Sequence, residues 1–221
     1  MASQQPQKFP ADYFRRADES ADENFYRDPR KVVHIDDGAI AAASQLYGEL
    51  LPANGHILDL MSAWRSHLPT TYKPAKVTGL GMNADEMRDN PQLSDFMVQN
   101  LNKTPYLPYD DQTFDGAICT VSVQYLTNPV SVFKDVYRVL KPGSPFALTF
   151  SNRCFPTKAV AVWQSTSMVQ KGQLVGEFLK AAGFADIHAE DRSTGGQRRS
   201  LFGGAGDPLM GVWGYRPAVN G

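Results

Sequence analysis

Cysteine is scarce in this chain: there are two in 221 residues, Cys119 and Cys154. They form no Cys-x-x-Cys pair and no zinc-ligand spacing, so the sequence offers neither a disulfide framework nor a structural zinc site. Both read as small buried hydrophobes in a reducing compartment. No apolar run approaches the ~20 residues that a bilayer span requires. Neither sign of charge is in excess: 22 Lys and Arg stand against 23 Asp and Glu, a formal net charge of -1. That balance supplies no global field to hold nucleic acid or an anionic membrane. The opening stretch MASQQPQKFP has no apolar core and no arginine cluster, so no export signal is expected. There is no internal repeat. These absences predict a cytoplasmic protein with neither nucleic acid nor membrane as a partner. The 42% hydrophobic and 20% charged content is that of a globular chain long enough for a full core.

The stretch on which the rest is organised is HILDLMSAWRSHLP, residues 56 to 69. Ile57, Leu58 and Leu60 follow the turn pair Asn54-Gly55 and read as an interior parallel strand. Asp59 interrupts the run, and a carboxylate there needs a donor or a ligand. Met61 to Ser66 read as a strand-to-helix loop. In open α/β sheets, ligands sit beyond the carboxyl ends of the strands, so this loop is the first candidate site.

Residues 1 to 31 are polar but carry Phe9, Tyr13, Phe14, Phe25 and Tyr26, more aromatics than a disordered tail holds. They are expected to form an N-terminal arm, either a lid or a tail packed on the core edge, with the main domain at 32–221. A helix capped by Asp36 or Asp37 is expected to run to about Leu51. Further strands are expected at Lys76 to Leu80, Phe96 to Val98, Gly116 to Val121, Pro145 to Ser151, Phe184 to Ala189 and Leu209 to Tyr215. Between them, Asn83 caps a helix with Glu86 at the capping-box position. Val130, Phe133, Tyr137 and Leu140 form the stripe of a second helix, and Leu174 to Ala182 form a third, stopped by Gly183. Residues 192 to 208, rich in Gly and Arg, read as a mobile hairpin loop. Without a helix in that loop, the last strand must return antiparallel. The predicted class is α/β: a Rossmann-like seven-stranded sheet, mostly parallel with the last strand antiparallel, and helices on both faces.

The segment LPYDDQTFDGAICTVSVQYL, 107 to 126, and the segment VFKDVYRVLKPGSPFALTFSN, 132 to 152, lie at a fixed mutual spacing. With the strand ending Leu-Asp-Leu, they closely resemble class I S-adenosylmethionine (SAM) methyltransferases acting on small molecules. The resemblance covers about Phe25 to Pro217. It implies the seven-stranded architecture above, SAM as cofactor and a small-molecule acceptor. It also implies a cofactor site at the strand ends, carried here by Asp59, Met61, Ser62, Ala63, Ser66, Gly81, Met82, Asn83, Asn100, Leu101 and Thr120.

The departures fall on that site. Met61, Ala63 and Arg65 stand where the family has a Gly-x-Gly-x-Gly run. Gly81 stands where it has a ribose-binding acid, and Asn100 where an acid accepts the adenine amino group; the Asn oxygen can still accept that bond. Asn83 is then either a ribose contact or only a helix cap, and Ser62 or Ser66 is a contact for the SAM carboxylate. Arg65 is expected to point to solvent or toward a carboxylate. Trp64 either stacks on adenine or packs the loop. Gln124 and Tyr125, at the carboxyl end of the fourth strand, and Arg153, after the fifth, are the candidate catalytic residues, Arg153 as a clamp for an anionic substrate. His34, His56 and His67 have no metal spacing.

Gly79-Leu80-Gly81-Met82-Asn83-Ala84 also fits the dinucleotide pattern G-x-G-x-x-A, but the acid expected ~20 residues on is replaced by the amides Asn100 and Asn102. The leading reading is therefore methyl transfer from SAM to a small molecule. The alternatives are a non-catalytic methyltransferase-fold protein binding another ligand or a partner, and, more distantly, a nicotinamide-dependent oxidoreductase.

Overall fold

The computed structural model describes residues 9–193 and 206–218. Seven strands form one sheet: β1 (His56–Ser62), β2 (Lys76–Gly81), β3 (Asp95–Val98), β4 (Gly116–Thr120), β5 (Pro145–Phe150), β6 (Ala185–Asp191) and β7 (Met210–Tyr215). Their order is β3-β2-β1-β4-β5-β7-β6. The pairs from β3 through to β5 are all parallel, and β7 runs antiparallel to both β5 and β6. The expected reversal of the last strand is therefore observed. Most of the predicted hairpin loop before it lies outside the described residues.

The helices are α1 (Asp22–Phe25), α2 (Asp37–Leu50), α3 (Ala84–Arg88), α4 (Pro129–Val139), α5 (Ala161–Gln164) and α6 (Met168–Ala182). Local chemistry sets their ends. The Asp36 side chain accepts from the Ala39 amide, and Asn128 caps α4 with Pro129 in its first turn. Ser167 and Gln170 close a full capping box on α6, and Gly183 ends that helix with φ 105°. Two apolar clusters show that both faces of the sheet are covered. One joins α4, α5 and α6 to Phe146, Phe150 and Val212; the other joins α2 to Ile57, Val77, Ile118 and Trp213. Tyr47 of α2 is fully buried and its hydroxyl meets Thr120 Oγ1 at 2.6 Å and Thr149 Oγ1 at 2.7 Å.

One expectation fails. The loop after β1 leads into no helix: residues 63–75 cross to β2 as irregular chain. Pro69 and Pro74 and the β-branched pair Thr70-Thr71 oppose a helix there. Leu68 and Tyr72 pack with α2 instead, and the Tyr72 hydroxyl donates to the Pro52 carbonyl. The first crossover thus lacks the helix whose N-terminus would face a ligand at this strand end.

β1 also runs further than expected. It bulges between Leu60 and Ser62, so that Ser62 pairs with Gly81. Met61, at the bulge, has φ 57°, left-handed backbone that ordinarily favours glycine. The chain has kept the backbone turn without the glycine. The bulge drives the Ser62 carbonyl onto β2: a Cβ on Gly81 would lie 2.1 Å from that oxygen and 3.0 Å from Met87 Sδ. A Cβ on Gly79 would lie 2.7 Å from Leu93 Cδ1. Sheet packing therefore accounts for both glycines of the apparent dinucleotide pattern.

Gly81→Ala is expected to destabilise the fold by about 1–3 kcal/mol, because backbone must move to admit the methyl group. Gly176→Ala, in the middle of α6 with its nearest neighbour 3.6 Å from the added Cβ, should be neutral or stabilising by up to about 1 kcal/mol. Urea midpoints of the two variants check this; equal midpoints would contradict the crowding at Gly81.

Candidate functional site

The carboxyl ends of β1, β2 and β4 open into one cavity. Met61, Ser62 and Ala63 contribute to it from β1 and its loop, Gly81 and Met82 from β2, and Thr120 and Val121 from β4. Asn100 and Leu101, after β3, form a side wall. The arm and the residues that follow it cross over the cavity: Tyr26 and Arg30 of the arm and residues 32–35 after it line the outer side.

The loop after β1 is held by a polar network. Asp59 is buried, and its Oδ2 accepts from Ser62 Oγ and from Ser66 Oγ, both at 2.6 Å. Asn90 Nδ2 in turn donates to Ser66 Oγ and to the Ala63 carbonyl, both at 2.9 Å. Burial pushes the Asp59 carboxyl up to about 6, with the two serine hydroxyls pulling the other way. Both serines therefore point at Asp59, and Ser66 is fully buried and does not reach the cavity wall. Arg65 lies over the Trp64 ring, 4.5 Å from its centroid, at the cavity rim. Trp64 Nε1 donates to the Val32 carbonyl at 3.0 Å, so this ring clasps the arm.

The arm is fixed at its root by buried charge. Asp22 accepts from Arg16 Nη1 at 2.7 Å and from Asn102 Nδ2 at 2.9 Å, and Lys158 Nζ lies 3.4 Å away. Lys158 is completely buried and also donates to the Ser20 carbonyl at 2.7 Å. Phe9 and Phe14 pack on Phe178 of the core, while Phe25 packs on Phe155. The arm then meets β2 and α3. Asn83 Nδ2 donates to the Tyr26 and Arg27 carbonyls, and Glu86 Oε1 accepts from the Arg30 amide at 2.5 Å.

These contacts revise several single-residue expectations. Asn83 caps α3 through its oxygen, which accepts from the Asp85 and Glu86 amides; with its amino group also engaged, it has no donor left for a ribose. Glu86 completes no capping box and reaches to the arm instead. Asn100 keeps its place on the wall, with Nδ2 on Glu23 Oε1 at 3.1 Å and Oδ1 accepting from the Asn102 amide. Thr120 lines the cavity but holds Tyr47.

Among the three candidate catalytic residues, Tyr125 alone lines the cavity. Its hydroxyl accepts from the Phe155 amide at 2.9 Å, and burial pushes its pKa up to about 12. Gln124 lies behind the wall, fully buried, because the short 3-10 turn Val123–Tyr125 rotates it inward. Its Nε2 donates to the carbonyl of Val121, a β-branched residue at φ 48°, and so supports a strained turn. Arg153 is exposed and paired with Asp207 at 2.7 Å, outside the cavity.

The sequence reading missed Arg16, Asp22, Glu86, Gln99, Asn102 and Phe155 as lining residues. The aromatic content of the arm was the available signal for the first two. His34 also lines the cavity, and burial, with Arg30 beside it, lowers its pKa. His67 is lowered to about 4 by burial, Arg65 and His34.

The comparisons agree with this architecture. Residues 64–148 match the family model described as a methyltransferase domain. The methyltransferase phqN of Penicillium fellutanum is 36% identical over 86 residues, covering 35% of this chain and 26% of that one. The methyltransferase solved with the Haloferax volcanii Trm112 activator superposes with a TM-score of 0.62 at 15% identity, covering 82% of this chain and 91% of the other. The [4+2]-cyclase SpnF superposes with a TM-score of 0.61 at 18% identity, covering 89% and 92%. The chain shares the seven-stranded fold of these structures, and its residues 64–148 are similar to a methyltransferase domain. It spans only about a quarter or less of the length of the first curated relatives it matches. Among the described residues, no helix is long and apolar enough to cross a membrane.

The Asp59 carboxyl carries a pH signature. Its folded pKa of about 6 lies above the ordinary 3.8, so the native state binds its proton more tightly than the unfolded chain does. Its contribution to stability is complete below pH ~4 and is lost as pH rises through ~6, on the order of 3 kcal/mol in all. Asp59→Asn should remove that part of the pH dependence. Urea unfolding of both proteins at pH 4.5 and pH 7.5 measures it: identical pH dependence in the two would contradict the burial of a titrating Asp59.

Proposed function

We propose that this chain transfers a methyl group from SAM to a small-molecule acceptor bound between the arm and the strand ends. The observation that carries the reading is the left-handed turn at Met61. Met61 stands where the resembled family has its first glycine and takes the left-handed backbone that glycine favours, at the mouth of a cavity that spans the ends of β1, β2 and β4.

The residues present fit the cofactor in three respects. Leu80, Leu101, Val121 and Leu126 supply apolar walls, and Asn100 supplies a polar edge beside them. Arg16, Arg30 and Arg65 reach the same cavity and can hold a carboxylate where the missing helix N-terminus cannot. Ala63, the smallest side chain of the loop, stands where the second family glycine would allow close approach. SAM supplies an activated methyl group on a sulfonium centre, so the protein's contribution is binding, orientation and exclusion of water.

Each of those tasks has a residue here. The Asp59 network fixes the loop, and the Trp64 contact with Val32 closes its outer edge. The Tyr125 hydroxyl is neutral near pH 7 and positions rather than deprotonates. His34, kept neutral by burial and by Arg30, is the lining group suited to take a proton from an acceptor. The acceptor itself is read as small because the arm narrows the mouth.

A second reading has its own support. The Ser62 carbonyl fills the space of the ribose acid, and SpnF, named a cyclase, shares the fold. On that reading the cavity holds a ligand without methyl transfer.

Calorimetric titration with S-adenosylhomocysteine tests the binding that the first reading requires, and consumption of SAM in the presence of candidate acceptors separates it from binding without transfer. Methyl transfer from SAM requires binding, and Ala63→Leu should weaken it by about one to two powers of ten. Ala63→Gly should preserve or strengthen it. Absence of binding to the wild type would favour the second reading; unchanged affinity in Ala63→Leu would place the ligand elsewhere.

A further inference from the structure

The ribose position of this site has lost its acid for a steric reason, and the same neighbourhood contains another carboxylate. No side chain fits at Gly81, since its Cβ would meet the Ser62 carbonyl at 2.1 Å. Asn83, two residues on, has both amino hydrogens and its oxygen engaged. Thr120 and Ser62 also line the cavity, but their hydroxyls are committed to Tyr47 and Asp59.

Glu86 differs from all of these. It sits in α3, five residues after Gly81, and lines the cavity although only 9% exposed. Its Oε1 accepts a single hydrogen bond, from the Arg30 amide, and no described residue donates to its Oε2. A carboxylate has about four acceptor positions on its two oxygens, so this buried group keeps most of its capacity. Burial without further donors also raises its pKa, with Arg30 and Lys31 opposing. A ligand that brings a pair of hydroxyls would satisfy it.

We propose that Glu86 is the acceptor for the vicinal ribose hydroxyls of the adenosyl ligand, in place of the acid excluded at Gly81. This rests on the SAM-binding reading above. Because the same carboxylate holds the Arg30 amide, one side chain then joins the ligand to the arm. A merely structural Glu86 would hold the arm and be indifferent to the ribose.

The test is a calorimetric cycle with S-adenosylhomocysteine and its 2′-deoxy analogue on the wild type, Glu86→Ala and Glu86→Gln. In the wild type, loss of the hydroxyl should weaken binding roughly ten- to hundredfold, as expected for a hydrogen bond to a charged group. In Glu86→Ala the two ligands should bind within about threefold of each other. Glu86→Gln retains an acceptor for Arg30; it should show a discrimination at least threefold below that of the wild type, and it decides the matter if the alanine variant does not fold or does not bind. Wild-type discrimination in a variant that binds both ligands would overturn the proposal while leaving the SAM reading intact. No binding of S-adenosylhomocysteine to the wild type would instead overturn the reading on which it rests.

Discussion

The contact between the Ser62 carbonyl and the backbone of Gly81 constrains everything at the ligand end of this sheet. It exists because β1 bulges at Met61 and continues pairing to Ser62. With no room for a Cβ on Gly81, the strand end can hold no acid. The loop that follows cannot lie down as a helix either, because Ser62 and Ser66 are pulled back onto Asp59. A buried carboxylate with two hydroxyl donors thus fixes a loop that carries neither the glycine run of the family it resembles nor a helix N-terminus. The cost is a carboxyl that burial pushes toward protonation.

The arm supplies what the strand ends lack. Asp22 gathers Arg16, Asn102 and Lys158 into one desolvated cluster. Breaking such a cluster on one side leaves uncompensated buried charge, typically a loss of ~3–5 kcal/mol, so the arm root is firmly placed. Beyond it the chain is tied more lightly, by two bonds from Asn83, one each to Glu86 and from Trp64, and an exposed Lys31–Asp89 pair. This gradient, from a charged anchor to a few polar contacts, is compatible with the proposed ligand site beneath the segment.

Much of the fold was legible in the sequence because apolar periodicity and end signals agreed. Asp36 and Gly183 stand at the predicted helix ends, and the reading of the segment before β7 as a loop without a helix foretold the strand's reversal. The missing helix after β1 was less visible: Met61 to Ser66 read as a strand-to-helix loop, and that reading gave no weight to Pro69 and Pro74, which oppose a helix. The site was legible as a place and not as a set of roles. Strand-end position pointed to the loop holding Ala63 and to Tyr125, and the resemblance added Gly81 and Asn100; all four line one cavity. It could not predict that a 3-10 turn would rotate Gln124 inward, or that Asp207 would hold Arg153. Glu86 was misread because spacing alone makes it a capping-box partner of Asn83, whereas its carboxylate answers an amide 56 residues away. Long-range partners of polar side chains leave no periodic trace in sequence.

In the proposed site the ligand is enclosed between the strand ends and the arm. Amide hydrogen exchange across residues 22–35, followed with and without saturating S-adenosylhomocysteine, tests it most directly. Enclosure requires slower exchange in this segment on binding, greatest at the Arg30 amide held by Glu86, with little change at the Phe9 to Phe14 contacts on Phe178. Binding that leaves exchange in residues 22–35 unchanged would contradict it.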